Sequence, residues 1–288
     1  MKILLHGYTY SYNYGDILYL KSYYNECLKN GFVVALLTAS NSLFKISEKV
    51  LEELGNPKIV TINNVSDYDA LVICGGGMYC QKPNDNTYLR FLRFVFPVLY
   101  FLEQNKPVYI FGVDVGPFET SWMEKYIKRI FNESTICSVR NSKSSKYCNN
   151  IVPDSLLSLS ITKPKKKKQI LIHCVRDYDK VFEDNIIPVL HKYYSEYELV
   201  FLSDNEFDIT KTVFGKYGKL VNYTNSEEIT TIISESSFVI TNKLHVGLIA
   251  TLSGISVISF PFFYEKVHRF YNDINELDRC VPIKNITP

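Results

Sequence analysis

The chain has 288 residues, of which 46% are hydrophobic and 22% are charged, and its net charge is +2 at neutral pH. So small a net charge does not fit a protein whose surface is covered with cations for nucleic acid. No apolar run approaches the roughly 20 residues that span a bilayer. We therefore expect a globular protein, and the length favours two domains because single cores stop growing near about 250 residues.

The N-terminus, the cysteines and the aromatic residues add further expectations. The N-terminal MKILLHG has one lysine and few apolar residues before polar sequence begins, so it lacks the pattern of a secretory signal and favours a cytoplasmic protein. The seven cysteines are scattered without CxxC spacing, which predicts small buried thiols in place of disulfides or zinc ligands. The 22 tyrosines and 18 phenylalanines either fill core and surface positions or line a sugar-binding cleft.

Short β-type runs alternate with helix-length amphipathic segments along the whole chain. The runs are KILLH, FVVALL, KIVTI, ALVIC, PVYIFG and TICSV, followed by QILIHCV, YELVFL, SFVITN and SVISF. Such alternation predicts the α/β class, with two Rossmann-like, doubly wound parallel-sheet domains that face a central cleft. Prolines and lysines break the pattern between Ile151 and Gln169, so we place the N-terminal domain at residues 1–155 and the C-terminal domain at 168–288. The lysine run is interpreted as a solvated linker, with a contact to anionic lipid as the alternative.

The first strand runs into the loop and helix HGYTYSYNYGDILYL. Asp16 is the predicted helix cap, and the loop glycines, including Gly15, let a ligand approach the backbone. The loop has no GxGxxG pattern, so it does not favour a dinucleotide. Asp16 is either a cap alone or a cap that is also a catalytic base. The predicted core stripe of this helix is Ile17, Leu20, Tyr24, Cys27 and Leu28.

Two glycine-bearing segments end later strands at the same predicted sheet edge. Gly75, Gly76 and Gly77 follow LVIC, and Gly116 lies in YIFGVDVGPFET. Three consecutive glycines favour either a ligand that lies against the backbone or tight packing of another chain segment. Both segments are expected to face one crevice.

The segment Tyr88 to Glu103, YLRFLRFVFPVLYFLE, is apolar and aromatic and contains two arginines. An interfacial membrane helix is one interpretation. Its position between two predicted strands, together with Pro97, favours a buried crossover helix instead.

Two arginines end predicted strands, Arg140 in TICSVRNS and Arg176 in LIHCVRDYD. Arginine suits bidentate contact with a phosphate or a carboxylate. Surface ion pairing is the alternative for both.

The segment FVITNKLHVGLIATLSG, residues 238–254, predicts a strand that leads into a helix capped by Asn242, with Lys243, Leu244 and His245 in the first turn. A first turn has N–H groups without partners and the positive end of the helix dipole, so cations are disfavoured there. Two basic side chains at this place indicate an anion site, and a bound dianion favours a protonated imidazole able to act as a general acid. The alternative is a solvated lysine and a histidine that is hydrogen-bonded at the domain interface.

Six motifs, in order, resemble the polysaccharide pyruvyl transferase family. The family pattern reads "G…N.GD", "GGG", "G.GVGP", "VRD..S", "(S/T)NRLH" and "PVI" with a later "K". The chain has GYTYSYNYGD, CGGGMY, GVDVGPF, SVRNSKS, TNKLHVG and SVISFPFFYEKV in the same order. The resemblance covers nearly the whole sequence.

The resemblance implies a GT-B-like fold and transfer of pyruvate from phosphoenolpyruvate to two hydroxyls of a sugar as a ketal. It implies that His245 protonates the methylene carbon of the donor, that Lys243 and Arg176 hold its anionic groups, and that Asn13 and Asp16 lie on the acceptor side. The implied acceptor is a cell-surface glycan or its lipid-linked precursor, and a lipid-linked acceptor implies transient association with the inner membrane. No cofactor, metal or nucleic acid is expected.

The chain departs from the family pattern in three respects. Lys243 stands in place of arginine, Asn141 stands in place of the aspartate after Arg140, and 288 residues is short for the family. Two alternatives stay open. One is a GT-B glycosyltransferase that uses a nucleotide sugar, with Glu265 as its carboxylate, and the other is a non-catalytic glycan-binding relative.

Overall fold

The computed structural model describes residues 1–10, 12–38, 45–80, 86–162, 164–173, 180, 182–203, 215–261 and 266–282. By its internal contacts the chain divides into two compact units, Met1–Ser158 and Leu159–Pro288. Each unit is built on one parallel sheet. We call them unit 1 and unit 2.

Unit 1 contains six strands and five α-helical segments among its described residues. The strands are β1 (Lys2–His6), β2 (Val33–Thr38), β3 (Lys58–Thr61), β4 (Ala70–Tyr79), β5 (Val108–Val115) and β6 (Ile136–Val139). The helices are α1 (Tyr14–Lys29), α2 (Glu48–Glu53), α3 (Thr87–Arg90), α4 (Phe96–Glu103) and α5 (Ser121–Glu133), and a π-helical turn, Phe91–Val95, joins α3 to α4.

The unit 1 sheet is buried on both faces. Its strand order is β3-β2-β1-β4-β5-β6, and all neighbours are parallel. Alternate residues of β1 enter different cores, since Leu4 packs in one cluster while Ile3 and Leu5 pack in the other. The chain order reverses between β1 and β4, which makes the carboxyl ends of these two strands the topological switch point of unit 1.

Helix α1 differs from the prediction at both of its ends. Asn13, not Asp16, is the N-cap, and its side chain accepts a hydrogen bond of 3.1 Å from the Gly15 N–H. Asp16 lies in the first turn, where a carboxylate interacts favourably with the helix dipole. Ile17 and Leu20 are buried as predicted, whereas Leu28 in the last turn is 47% exposed.

The segment Tyr88 to Glu103 is a crossover helix between β4 and β5. Phe94, Val98 and Phe101 are fully or almost fully buried in the core of unit 1. Pro97 lies in the first turn of α4, directly after the π-helical turn. Within the described residues, no helix has both the length and the apolar character needed to cross a membrane.

Unit 2 has five strands and four α-helices among its described residues. The strands are β7 (Gln169–His173), β8 (Glu198–Ser203), β9 (Lys219–Asn222), β10 (Phe238–Thr241) and β11 (Ser256–Ser259). The helices are α6 (Ile187–Tyr193), α7 (Ser226–Glu235), α8 (Leu244–Leu252) and α9 (Lys266–Asp273). All strands are parallel in the order β11-β10-β7-β8-β9. The sequence patterns did not predict β9, an edge strand with none of its four residues fully buried.

A glycine inside α8 lets this helix lie close to β11 and α9. A Cβ atom at Gly247 would stand 2.6 Å from the Tyr271 hydroxyl oxygen and 2.8 Å from Ser259 Oγ. These two hydroxyls are hydrogen-bonded to each other at 3.0 Å, and Tyr271 is completely buried. The close packing fixes the position of the α8 N-terminus on the sheet.

We predict that Gly247→Ala destabilises the protein. Overpacking costs about 1 to 3 kcal/mol, and the better helix propensity of alanine offsets up to about 1 kcal/mol of that cost. The expected net loss is about 1 to 2 kcal/mol in the free energy of unfolding, measured by urea denaturation of the full chain.

Tyr271→Phe provides the control for this packing. It removes the atom closest to the added methyl group, so Gly247→Ala is expected to cost less in the Tyr271→Phe background than in the natural chain. Equal costs in the two backgrounds, or no cost in either, would show that α8 is not held by this contact.

Candidate functional site

The carboxyl ends of β7 and β10 form the switch point of unit 2. These strands are neighbours, with Thr241 paired to His173 in register, and the chain order reverses between them. Parallel α/β sheets bind ligands outside the carboxyl ends of their strands at such points. The residues that follow β10 therefore occupy the position at which this sheet is expected to bind a ligand.

Helix α8 begins one residue later than predicted. Lys243, not Asn242, is the N-cap, with extended backbone angles (φ −95°, ψ 122°). Asn242 is buried, and its N–H donates to the His173 carbonyl at 3.3 Å, which continues the pairing with β7. Thr241 Oγ1 accepts a hydrogen bond of 2.9 Å from the Lys243 N–H. The backbone N–H groups of Leu244, His245 and Val246 thus form the first turn, where a helix supplies no acceptors.

The side chains of Lys243, Leu244 and His245 are half-buried, so they are neither sealed in the core nor fully solvated. The Nε2 atom of His245 is shielded from solvent. The structure therefore brings an ammonium, an imidazole and a helix N-terminus together at one switch point. Arg176, the second predicted donor ligand, and Glu265 lie outside the described residues, as does Cys174.

In unit 1 the predicted acceptor residues gather at its own switch point. Asn13, Gly15 and Asp16 open α1 after β1, and Gly75, Gly76 and Gly77 lie in the carboxyl-terminal half of β4. The structure shows close packing at two of these glycines. A Cβ atom at Gly75 would lie 2.8 Å from the ring of Tyr19, and one at Gly76 would lie 3.1 Å from Asp16 Oδ1.

Gly75 and Gly76 both have positive φ, at 57° and 80°, so their conformation favours glycine as well as their packing. Gly116 also has positive φ, 74°, and stands after β5 at the same edge of the sheet. The structure therefore gives Gly75 and Gly76 a packing role, and half-buried Asp16 is the acidic group that lies against Gly76 of β4.

Arg140 is part of a buried ionic cluster at this edge. Its guanidinium donates to Asp114 at 3.1 Å and lies 3.5 Å from Asp154, and Tyr19 donates its hydroxyl hydrogen to Asp154. Burial opposes the charge on Arg140, but Asp114, Tyr19 and Asp154 together hold its pKa well above the ordinary value. Burial and the Asp154 carboxylate also raise the pKa of Tyr19 well above its usual range, so Tyr19 stays a donor.

This geometry favours ion pairing over the donor-binding role predicted for Arg140. Its side chain is 6% exposed, and its donors face carboxylates of the protein. The alternative of ion pairing describes its environment, although the pair is buried and not on the surface. The sequence pattern does not reveal its ion-pair partners, because Asp114 and Asp154 lie 26 and 14 residues away in the chain.

The same cluster explains the Asn141 departure. The Asn141 amide donates to Asp114 Oδ1 at 2.9 Å, and its oxygen accepts from the Ser144 N–H at 3.1 Å. Asp114 on β5 supplies the carboxylate beside Arg140 in this chain, and an amide at position 141 avoids a second buried negative charge next to it.

Two histidines at strand ends were not singled out from the sequence. His6 ends β1, and its ring nitrogens lie 2.7 Å from the Arg93 carbonyl oxygen and 3.3 Å from that of Leu37. Burial lowers the pKa of His6, although the two carbonyls oppose this effect. His173 ends β7 and is 3% exposed beside Asn242. A single histidine inside an apolar run gives no pattern that separates a site residue from a core residue.

The described part of the chain has no group of three or more histidine, cysteine, aspartate or glutamate side chains arranged to hold a metal ion.

Comparison with known families identifies the class of the protein. The family described as polysaccharide pyruvyl transferase matches residues 13–261. The chain belongs to the polysaccharide pyruvyl transferase family, a family of transferases. No curated protein matches it.

Solved structures with little sequence identity share the fold. The UDP-GlcNAc 2-epimerase from Methanocaldococcus jannaschii is 12% identical with a TM-score of 0.58, and the match covers 98% of this chain and 88% of that one. The glycotransferase of kitacinnamycin is 9% identical with a TM-score of 0.59, over 100% and 87% of the two chains. The UDP-GlcNAc 2-epimerase from Neisseria meningitidis, bound to UDP-GlcNAc, is 13% identical with a TM-score of 0.56, over 92% and 84%. These likenesses confirm the predicted GT-B-like class of two parallel-sheet α/β domains.

We predict that Arg140→Leu lowers the free energy of unfolding by about 3 to 5 kcal/mol, because it leaves two buried carboxylates without their cation. The measurement is urea denaturation at neutral pH. Arg129→Leu is the matched control: Arg129 also contacts two carboxylates, Glu103 and Glu133, but its side chain is 40% exposed. Its loss is expected to stay within about 1 kcal/mol. A stable Arg140→Leu protein with weakened donor binding would restore the donor role to Arg140.

Proposed function

We propose that the protein transfers pyruvate from phosphoenolpyruvate to two hydroxyls of a sugar, which become a ketal. The acceptor is a cell-surface polysaccharide, such as a capsule or an exopolysaccharide, or its lipid-linked precursor. Family membership supports the reaction class. The identity of the proposed donor is supported by one observation: the N-terminus of α8, with Lys243 and His245, lies at the switch point of unit 2.

Electrostatics favours an anionic donor at this place. The positive end of a helix disfavours a nearby cation by about 0.3 to 1 kcal/mol, and here a lysine and a titratable imidazole stand in the cap and the first turn. A bound phosphate or carboxylate makes the electrostatic energy of the site favourable, because it is attracted by the N–H groups, the dipole and the ammonium together. Phosphoenolpyruvate carries both anionic groups on a small carbon frame.

The proposed chemistry divides between two groups at this site. His245, in its protonated form, gives its proton to the methylene carbon of the donor, and a sugar hydroxyl attacks the cationic carbon that forms. Lys243 holds the anionic part of the donor as a point charge, in place of the forked contact of an arginine. The attack of a second hydroxyl on the same carbon then expels phosphate and completes the ketal.

The acceptor hydroxyls must lose two protons in this sequence. One of these protons protonates His245 again, and the other leaves with the released phosphate or passes to a base. Asp16 is the proposed base or orienting group for the acceptor, with Asn13 as a further acceptor contact. The packing of Gly76 against Asp16 supports this role, since it fixes the carboxylate at the end of β4. Arg176 is proposed as a second ligand of the donor.

We predict that His245→Gln lowers kcat for phosphate release from phosphoenolpyruvate by about 10² to 10⁴, the usual contribution of a general acid. The assay uses the purified full chain with acceptors that contain β-linked galactose or N-acetylmannosamine, and it detects the pyruvylated product by mass spectrometry. His191→Gln is the matched control, since His191 is an exposed histidine on α6. If His245→Gln and His191→Gln both keep the natural rate, the proposed acid is wrong.

Lys243→Ala is expected to act mainly on donor binding. Loss of one charged contact of about 1.5 to 3 kcal/mol corresponds to a rise of about 10- to 100-fold in the KM for phosphoenolpyruvate. Lys243→Arg keeps the charge and is expected to retain most of the affinity, whereas Lys192→Ala on α6 is expected to change nothing.

Titration with UDP-GlcNAc in a thermal-shift assay tests the alternative donor, a nucleotide sugar. Stabilisation by this nucleotide sugar, and none by phosphoenolpyruvate, would favour a glycosyltransferase.

A further inference from the structure

Two cysteine side chains lie against each other in unit 1. Cys137 on β6 and Cys148, 11 residues later, have their sulfur atoms 3.2 Å apart. Both are free thiols and both are half-buried. The spacing of these two residues matches no metal or redox motif, so the sequence pattern does not single them out.

Backbone contacts hold the two thiols together without help from the sulfur atoms. Val139 donates its N–H to the Asn150 carbonyl at 2.9 Å and accepts from the Val152 N–H at 2.9 Å. The Asn150 side chain donates to the Cys137 carbonyl at 3.2 Å. The chain that returns after Cys148 is thus paired along β6, so the opposition of the two thiols is a property of the fold.

We propose that Cys137 and Cys148 form a redox modification site, at which a small disulfide such as oxidised glutathione converts the two thiols to an intramolecular disulfide. A disulfide needs its sulfur atoms about 2.05 Å apart. The present separation exceeds this value by little more than 1 Å, which is within reach of small side-chain rotations.

The exchange takes place in two steps, and its atoms balance. The Cys148 thiolate attacks one sulfur of oxidised glutathione, which releases one glutathione thiolate and leaves a mixed disulfide. The Cys137 sulfur then attacks the Cys148 sulfur, the second glutathione leaves, and the proton of Cys137 passes to solvent or to the leaving thiolate. The protein loses two hydrogen atoms, and one oxidised glutathione becomes two reduced molecules.

The order of attack follows from the surroundings of the two thiols. Burial, and after it the neighbouring Cys148 thiol, raises the pKa of Cys137 to about 12. The thiolate is the reactive form, so Cys137 is poorly suited to begin the reaction and acts as the resolving thiol. Oxidation is therefore slow near neutral pH and becomes faster as the pH rises.

The disulfide would close the segment that supports the ionic cluster of unit 1. Arg140, Asn141 and Ser144 all lie between the two cysteines, and all three contact Asp114. Restriction of this short segment in the unfolded chain stabilises the folded one. We expect the oxidised protein to unfold at a temperature about 5 to 10 °C above that of the reduced protein.

The test incubates the folded full chain with oxidised glutathione, blocks the remaining thiols with iodoacetamide and digests with trypsin. Cys137 and Cys148 fall in separate tryptic peptides, residues 130–140 and a peptide that begins at Tyr147. The expected product is these two peptides joined by a reducible bond, together with the rise in unfolding temperature. Cys148→Ser is expected to abolish both, while Cys27→Ser, which removes another half-buried thiol, leaves both unchanged.

Three results would overturn the proposal. One is that both cysteines are recovered as free, alkylated thiols, and another is that Cys148 carries glutathione with no link to Cys137. The third is that the link forms equally well in urea, because the folded structure would then contribute nothing to the pairing. None of these measurements depends on pyruvyl transfer, so the proposed function and this modification site are tested separately.

Discussion

The candidate site of unit 2 depends on one constraint, the position of the first turn of α8. A helix start leaves N–H groups that the helix itself does not satisfy, and the sheet fixes where these groups lie. Pairing of β10 with β7 places Asn242 beside His173, and Gly247 brings α8 against β11 and α9. Lys243 and His245 acquire their surroundings from these contacts. A mutation that alters the packing of α8 is therefore expected to alter the geometry of the candidate site as well.

Most of the fold could be predicted from the sequence, because strands that are buried on both faces give continuous apolar runs. The runs located ten of the strands described here. Strand β9 was missed because an edge strand of four residues has too little apolar character to stand out. The predicted caps were also misplaced, by three residues at Asp16 and by one at Asn242, since several neighbouring polar residues offer equally good caps and only the backbone angles decide among them.

The site was only partly predictable, for reasons that differ between residues. Lys243 and His245 stood out because cations conflict with a helix start, which is a local property of the sequence. The partners of Arg140 depend on strand order, which no local pattern encodes, so a buried structural arginine had the same signature as a ligand-binding one. Likewise, the meeting of Cys137 with Cys148 depends on the return of the chain along β6. Long-range contacts of this kind separate a functional side chain from a structural one.

A crystal structure of the full chain with phosphoenolpyruvate tests the central claim most directly. We expect phosphate or carboxylate oxygens within about 2.7 to 3.2 Å of the first N–H groups of α8, with Lys243 Nζ at the same anionic group. We also expect the imidazole of His245 to face the methylene carbon. Phosphoenolpyruvate bound elsewhere on the protein, with the start of α8 in contact only with other parts of the chain, would contradict this claim.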